Sequence, residues 1–213
     1  MAERWTPLII RDIMFGTHRF NDIERGLPGI SRSLLAARLR QLMRARVLEK
    51  RAAPNGGHGG YHLTPAGEEL GRVVVRLGEW AAYWAFGEPD PKERDPMLLL
   101  WWMHGRIHRQ LLPPQRVVVR FDFRHASRRH VWLVLEKSDV SVCPTDPGFD
   151  TDLIVTADIV TLYRVWLGRA ALVDALKEGT VEIDGPPSLA RAFPRWLQWS
   201  PVADAVRAAQ QRI

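Results

Sequence analysis

The sequence predicts an α+β fold divided into two domains, and three observations carry that expectation. Residues 5–46 contain three short helical patterns in succession, and residues 47–64 contain two strand patterns about a glycine-rich turn. Gly87–Pro96 (GEPDPKERDP) then brings three prolines and six charged residues with almost nothing apolar, the composition of a domain boundary. Past it, a run of strand patterns gives way to helical ones, as in layered α+β architectures. The expected division is residues 1–86, a linker at 87–96, and residues 97–213.

The 213 residues are 46% hydrophobic and 25% charged, enough apolar material for a core in each part. The formal net charge is +6, and its placement says more than its size. Met1–Gly87 carries 13 Lys and Arg against 8 Asp and Glu, a net of +5, whereas Glu88–Ile213 carries 17 against 16, a net of +1. The excess is densest in Arg19–Arg51, where 9 bases meet 3 acids. A localised basic stretch is the electrostatic footprint of a nucleic-acid partner. Cys143 is the one cysteine, so no internal disulfide and no cysteine-built zinc site can form, which suits a reducing cytoplasm. The chain opens into a helical pattern without a signal-peptide core, and its densest apolar run, Met97–Met103, is far too short to span a bilayer. A cytoplasmic protein without a membrane partner is expected.

In the first part, Arg4–Phe15 has Trp5, Leu8, Ile9, Asp12 and Ile13 at helical spacing, with Gly16 as a stop. Phe20–Gly26 is a second short helix, and Leu27–Gly29 a tight turn. Ile30–Arg46 (ISRSLLAARLRQLMRAR) is the third helix, with Ser31 placed to cap it. Leu35, Leu39, Leu42 and Met43 gather on one face, which must be buried. Ser33, Ala36, Ala37, Arg40 and Arg44 fall on or near the opposite face, which has small residues and arginines but no acid. A merely solvated face usually mixes charge signs. Small side chains instead let a helix enter a major groove, where arginine reaches guanine edges or phosphates. Val47–Ala53 and Tyr61–Thr64 read as strands around the tip Pro54–Gly60, so three helices and a β-hairpin describe a winged helix-turn-helix. On this reading Ser31, Arg32, Ser33, Ala36, Ala37 and Arg40 approach base edges. Arg19, Arg38, Arg44, Arg51 and His58 hold phosphates or the minor groove.

The runs W-x-x-x-L-I-I-R-D (Trp5–Asp12), R-F-N-D-I (Arg19–Ile23), L-P-G-I-S (Leu27–Ser31), L-x-x-R-L-R-x-L (Leu35–Leu42) and Y-x-L-T-x-x-G (Tyr61–Gly67) resemble the HxlR-type winged-helix regulators, relatives of the MarR group. The resemblance implies a homodimeric bacterial transcription regulator with its third helix in the major groove of double-stranded DNA. Two departures qualify it. Many members sense oxidants through a cysteine near the N-terminus, and this chain has none there, so a thiol switch of that kind is unsupported. The tip Asn55–Gly60 lacks the arginine often found there, and its glycines are not a phosphate loop, because no Lys-Ser/Thr or helix follows.

Thr64-Pro65 opens a further helix, with threonine as cap and proline in the first turn. Its apolar stripe of Leu70, Val73, Val74, Leu77, Trp80, Ala81 and Trp84 is assigned to a dimer interface shared with the Trp5 helix; packing against the second domain is the alternative. A dimer would set two recognition helices about one DNA turn apart and call for a palindromic operator.

In the second part, residues 97–112 read as one buried helix. Val117–Phe123, Val131–Glu136, Val140–Cys143, Leu153–Thr156 and Thr180–Ile183 read as strands, and Ile159–Leu167, Ala170–Glu178 and Pro187–Trp199 as helices. The runs Asp152–Asp158 (DLIVTAD), Leu162–Gly168 and Glu178–Gly185 (EGTVEIDG), within Pro96–Trp199, resemble the sterol-carrier-protein fold. That resemblance implies a binding site for an apolar small molecule, here an effector, with Trp132, Trp166, Phe193 and Trp196 as candidate ligand contacts; large aromatics are as often plain core. A domain that only dimerises or stiffens the chain is the competing reading, since fold does not settle function.

No catalytic or metal constellation emerges. His104 and His108 share a four-residue spacing, but HGRIH lacks the glutamate of a zinc protease and a third ligand. Asp150, Asp152 and Asp158 are turn formers or caps before they are an acid cluster. The expected protein is a non-enzymatic, cofactor-free regulator that binds DNA. The reading from another class is a lipid- or acyl-carrier whose winged helix serves only for assembly.

Overall fold

A computed structural model describes residues 5–52, 59–84, 94–126 and 128–210. It divides into two compact units, Met1–Ala81 and Ala82–Ile213. Residues 54–58 of the expected wing tip, with His58, and most of the expected linker, residues 87–93, lie outside the described residues.

The first unit has the element order expected of it. Helix α1 (Thr6–Met14) ends at Phe15 and Gly16, α2 covers Phe20–Gly26, and α3 covers Arg32–Arg44. Strands β1 (Leu48–Arg51) and β2 (Gly60–Leu63) pair antiparallel, Leu48 opposite Leu63 and Arg51 opposite Gly60. Helix α4 runs from Pro65 to Trp84. Ile9, Ile10 and Ile13 from α1 close on Ile23, Leu35, Leu39, Leu42 and Leu63 to form one buried core. Burying a side chain of this size stabilises by about 1.5–3 kcal/mol. The joint between α3, the hairpin and α4 explains the Tyr61–Gly67 run. Thr64 Oγ1 donates to the Arg46 carbonyl at 2.6 Å and accepts the Gly67 N–H at 3.1 Å. Gly67 lies so close to the end of α3 that a Cβ there would stand 2.1 Å from the Val47 carbonyl oxygen.

The second unit holds a five-stranded sheet in the order β5-β4-β3-β6-β7, from β3 (Val117–Arg124), β4 (His130–Leu135), β5 (Val140–Cys143), β6 (Leu153–Asp158) and β7 (Val181–Asp184). The β3–β6 pair is parallel and the other three are antiparallel. Helices α5 (Pro96–His104), α6 (Ile159–Leu167), α7 (Leu172–Lys177), α8 (Pro187–Trp196) and α9 (Ala203–Gln210) complete it. Alternate residues Val117, Val119, Phe121 and Phe123 of β3 face the core with Leu133, Val155, Tyr163 and Phe193. This is the α+β architecture expected.

Two elements depart from expectation. Residues 97–112 do not form one helix: α5 stops at Gly105, and a 3-10 turn follows at Arg109–Leu111. Pairing with the far end of the chain competes for the backbone between them. His108 donates its N–H to Trp196 O at 2.8 Å, Gln198 donates its N–H to Arg106 O at 2.9 Å, and Ile107 bridges Leu197. His104 and His108 therefore do not share a helix face: His104 bonds the Trp101 carbonyl and His108 the Gln198 amide. Helix α9 was not expected at all, because its inward residues, Ala203, Val206 and Ala209, make too small a stripe to stand out. Ala203 packs where Gly168, at φ +81, closes α6; a Cβ on that glycine would lie 2.5 Å from the Ala203 carbonyl oxygen.

Candidate nucleic-acid interface

Helix α3 is held by its ends and its buried face. Ser31 caps it, its Oγ accepting the Leu34 N–H at 3.3 Å and lying 3.2 Å from Ser33 Oγ. Leu35, Leu39 and Leu42 are buried, which turns Ser31, Arg32, Ser33, Arg40 and Arg44 to solvent with Ala36, Ala37 and Arg38 half-buried between the two faces. At the C-terminal end Arg46 takes φ 57, a left-handed conformation that turns the chain into β1, and Val47 donates its N–H to Leu42 O at 2.9 Å.

The arginines singled out by sequence are not equivalent. Arg32 is tied back to α2: its Nη1 meets Glu24 Oε2 at 2.5 Å, its Nη2 donates to Asn21 Oδ1 at 3.1 Å, and its guanidinium lies 5.1 Å from the Phe20 ring centre. Arg38 donates to Gln41 Oε1 at 2.8 Å. Arg51 pairs with Glu49 at 2.7 Å. Arg40 and Arg44 are exposed, and their guanidinium groups meet no partner among the described residues. Arg19 is exposed at the start of α2. Two of the three acids between Arg19 and Arg51 are thus consumed by Arg32 and Arg51, and the unopposed positive charge concentrates on the outer side of α3.

Sequence reasoning missed how the hairpin is fastened. His18, between α1 and α2, accepts the Tyr61 N–H on its carbonyl at 2.8 Å, and its Nδ1 lies 2.9 Å from the Tyr61 carbonyl. Since that carbonyl can only accept, Nδ1 carries the proton. The His18 ring stacks on His62 with centroids 4.1 Å apart. Burial, followed by the His18 and Arg51 charges, pushes the His62 imidazole below its usual value. The pairing joins residues 43 positions apart, which no local pattern displays. Lys50 lies over the Tyr61 ring at 5.3 Å and adds a cation to the hairpin.

These features coincide with a known family. Residues 1–88 match the model of the HxlR-like helix-turn-helix. The HTH-type transcriptional regulator YvaP of Bacillus subtilis is 31% identical over 85 residues, covering 39% of this chain and 79% of that protein. The chain belongs to the HxlR-like helix-turn-helix family. YtfH of Escherichia coli, also an HTH-type transcriptional regulator, is 37% identical over 81 residues, 38% of this chain; the match spans 64% of that relative's length. Among solved structures, the reduced form of the regulator YodB from Bacillus subtilis is 33% identical over 39% of this chain and 83% of its own, with a TM-score of 0.35. The UbiJ-SCP2 ubiquinone synthesis protein overlaps 68% of this chain and 99% of its own at 19% identity and a TM-score of 0.33.

Within the HxlR-like chain the remaining candidates sort by burial. Trp166, Phe193 and Trp196 are buried in the core of the second unit, the last two ring centres 5.9 Å apart at 86°. Trp132 is half-buried on the outward side of β4. Asp152 accepts the Val118 N–H at 2.8 Å, and Asp158 caps α6 through Val160 and Thr161, each at 3.0 Å. Burial pushes the Cys143 thiol up, which disfavours the thiolate. No described helix is long and apolar enough to cross a membrane.

Proposed function

We propose that the chain is a homodimeric transcription regulator that reads a palindromic operator through α3. One observation carries this: α3 presents a face of serines and alanines flanked by Arg40 and Arg44, cations that no described protein group neutralises. Ser31, Ser33, Ala36, Ala37 and Arg40 approach base edges in the major groove. Arg19, Arg44 and the hairpin cation Lys50 meet phosphates; His58 and Arg51, the latter paired with Glu49, are assigned to the same role by sequence. Arg32 and Arg38 are held by neighbouring side chains and serve to position the helix.

The outer stripe of α4 supports the dimer. Val73, Leu77, Trp80 and Trp84 are 63%, 54%, 56% and 77% exposed at successive spacings of four, three and four, while Leu70 and Val74 pack on the core of the first unit. A continuous exposed apolar row of this length is the mark of an interaction site. Met14 of α1, 36% exposed, adds to the apolar surface. The second unit is assigned the effector.

Hydroxyl-radical footprinting on fragments surrounding the chain's own gene tests the proposal. Two protected half-sites about one helical turn apart are expected. A single half-site, or uniform protection of every fragment, would overturn the palindromic dimer.

A further inference from the structure

Three strands of the second unit bring an unassigned group of side chains to one place. His130 and Trp132 project from the same side of β4, opposite Asp122 of β3 and Cys143 of β5 respectively, with ring centres 6.2 Å apart. They line an open cleft of about 760 Å³ together with Arg128 and Arg129 from the β3–β4 hairpin, Asp146 from the turn after β5, and Asp95 at the start of α5. The volume lies in the range of small-molecule sites.

The cleft is built rather than accidental. Arg128 Nη1 donates to the Pro144 carbonyl at 3.0 Å, tying its two strand-end walls together. His130 Nδ1 lies 2.8 Å from Asp122 Oδ1, and Arg120 holds the same carboxylate with two bonds of 2.9 Å. Burial lifts the Asp122 carboxyl, but the bonds from Arg120 and His130 and their charges hold it below its ordinary value, so it remains an anion that orients the imidazole. Asp95 and Asp146 are fixed by accepting the Met97 and Gly148 N–H groups, at 2.9 and 2.8 Å. Arg129 is exposed and its guanidinium has no partner among the described residues. The lining thus combines arginines from the β3–β4 hairpin, carboxylates from the loops after β5 and before α5, and an indole beside them.

We propose that this cleft binds a planar aromatic small molecule carrying both an anionic group and N–H donors. Trp132 offers a stacking face. Arg128 and Arg129 present planar forks to a carboxylate or phosphate, and Asp95 and Asp146 accept from ring nitrogens or an amino group. This ligand is amphoteric, unlike the apolar one that the fold resemblance implies. Occupancy of the cleft stands independently of DNA binding; its use as the effector site rests on the regulator reading.

Calorimetric titration of the full chain with AMP, adenosine and inorganic phosphate tests the assignment. AMP is expected to bind saturably at one site per chain, with adenosine and phosphate each at least about tenfold weaker, because each lacks one half of the complement. Arg129→Gln, at an exposed position that leaves folding intact, should weaken AMP about fivefold or more, and Trp132→Leu likewise. Absence of saturable AMP binding would overturn the proposal, as would phosphate binding as tightly as AMP, or AMP binding equally well to Arg129→Gln. Operator titration of the unsubstituted chain without AMP reports separately on the regulator reading.

Discussion

Arg32 and Arg40 are both exposed on α3, yet only one is available to a ligand. The Arg32 guanidinium is committed to Glu24 and Asn21 of α2, so its charge is spent within the protein. Arg32→Ala should therefore lower unfolding free energy by about 0.2–1 kcal/mol, the scale of an exposed ion pair, and should weaken operator binding less than Arg40→Ala does. Denaturant unfolding beside operator titration checks this, and equal losses would place Arg32 among the reading residues. Asp12 is the other informative residue. It is buried against Arg11, with contacts of 2.7–2.8 Å. Burial raises its carboxyl above the usual value and the arginine offsets that only in part. A raised native value means that the folded chain holds this proton more tightly than the unfolded one. Its contribution to stability is then greatest below the ordinary carboxylate value of 3.8 and is lost as pH rises through the native value. Asp12→Asn, measured by unfolding at pH 4 and pH 7, should compare more favourably with the parent at pH 7; the opposite ordering would contradict the assignment. Sequence alone placed Asp12 on a helix but not in the core, because a carboxylate at an inward position carries no sign of its burial.

At the scale of elements, the hairpin is fixed between α1, α3 and α4. Gly67 is where α4 meets the end of α3, and the obstacle to a side chain there is backbone, which cannot swing aside. Gly67→Ala should destabilise the first unit by about 1–3 kcal/mol, as overpacking does, with operator affinity lost in step. Thermal unfolding checks it; an unchanged midpoint would show that α4 can shift. Gly71 differs, since a Cβ there meets the movable Met14 sulfur at 2.7 Å. These elements were legible wherever a strong period or cap announced them: α2, α6 and β5 have the bounds that their residues suggest. They were illegible where distant backbone decided the outcome. The break at Gly105 depends on residues 196–198, the hairpin base depends on His18, and α9 offers only a narrow stripe of Ala203, Val206 and Ala209. The face of α3 was readable because its buried leucines recur at helical spacing, whereas the tethering of Arg32 depends on a neighbouring helix.

For the whole molecule, the proposed dimer would present two α3 helices at once. The outer row of α4, with Leu77 and Trp80 more than half exposed, is the surface proposed to hold the copies together. Leu77→Asp places a charge in that row without touching the buried core. Light scattering should report a dimer for the parent chain and a monomer for the variant, with operator binding weakened through lost bivalency. A dimeric variant would move the interface elsewhere. The central claim, that α3 reads DNA, is tested most directly by fluorescence-anisotropy titration against fragments from around the chain's own gene, at two salt concentrations, with Arg40→Ala in parallel. The account predicts tight, salt-dependent binding to one fragment, with Arg40→Ala losing about 1–3 kcal/mol on that fragment. No binding to any fragment at low salt, or an affinity indifferent to Arg40, would contradict it.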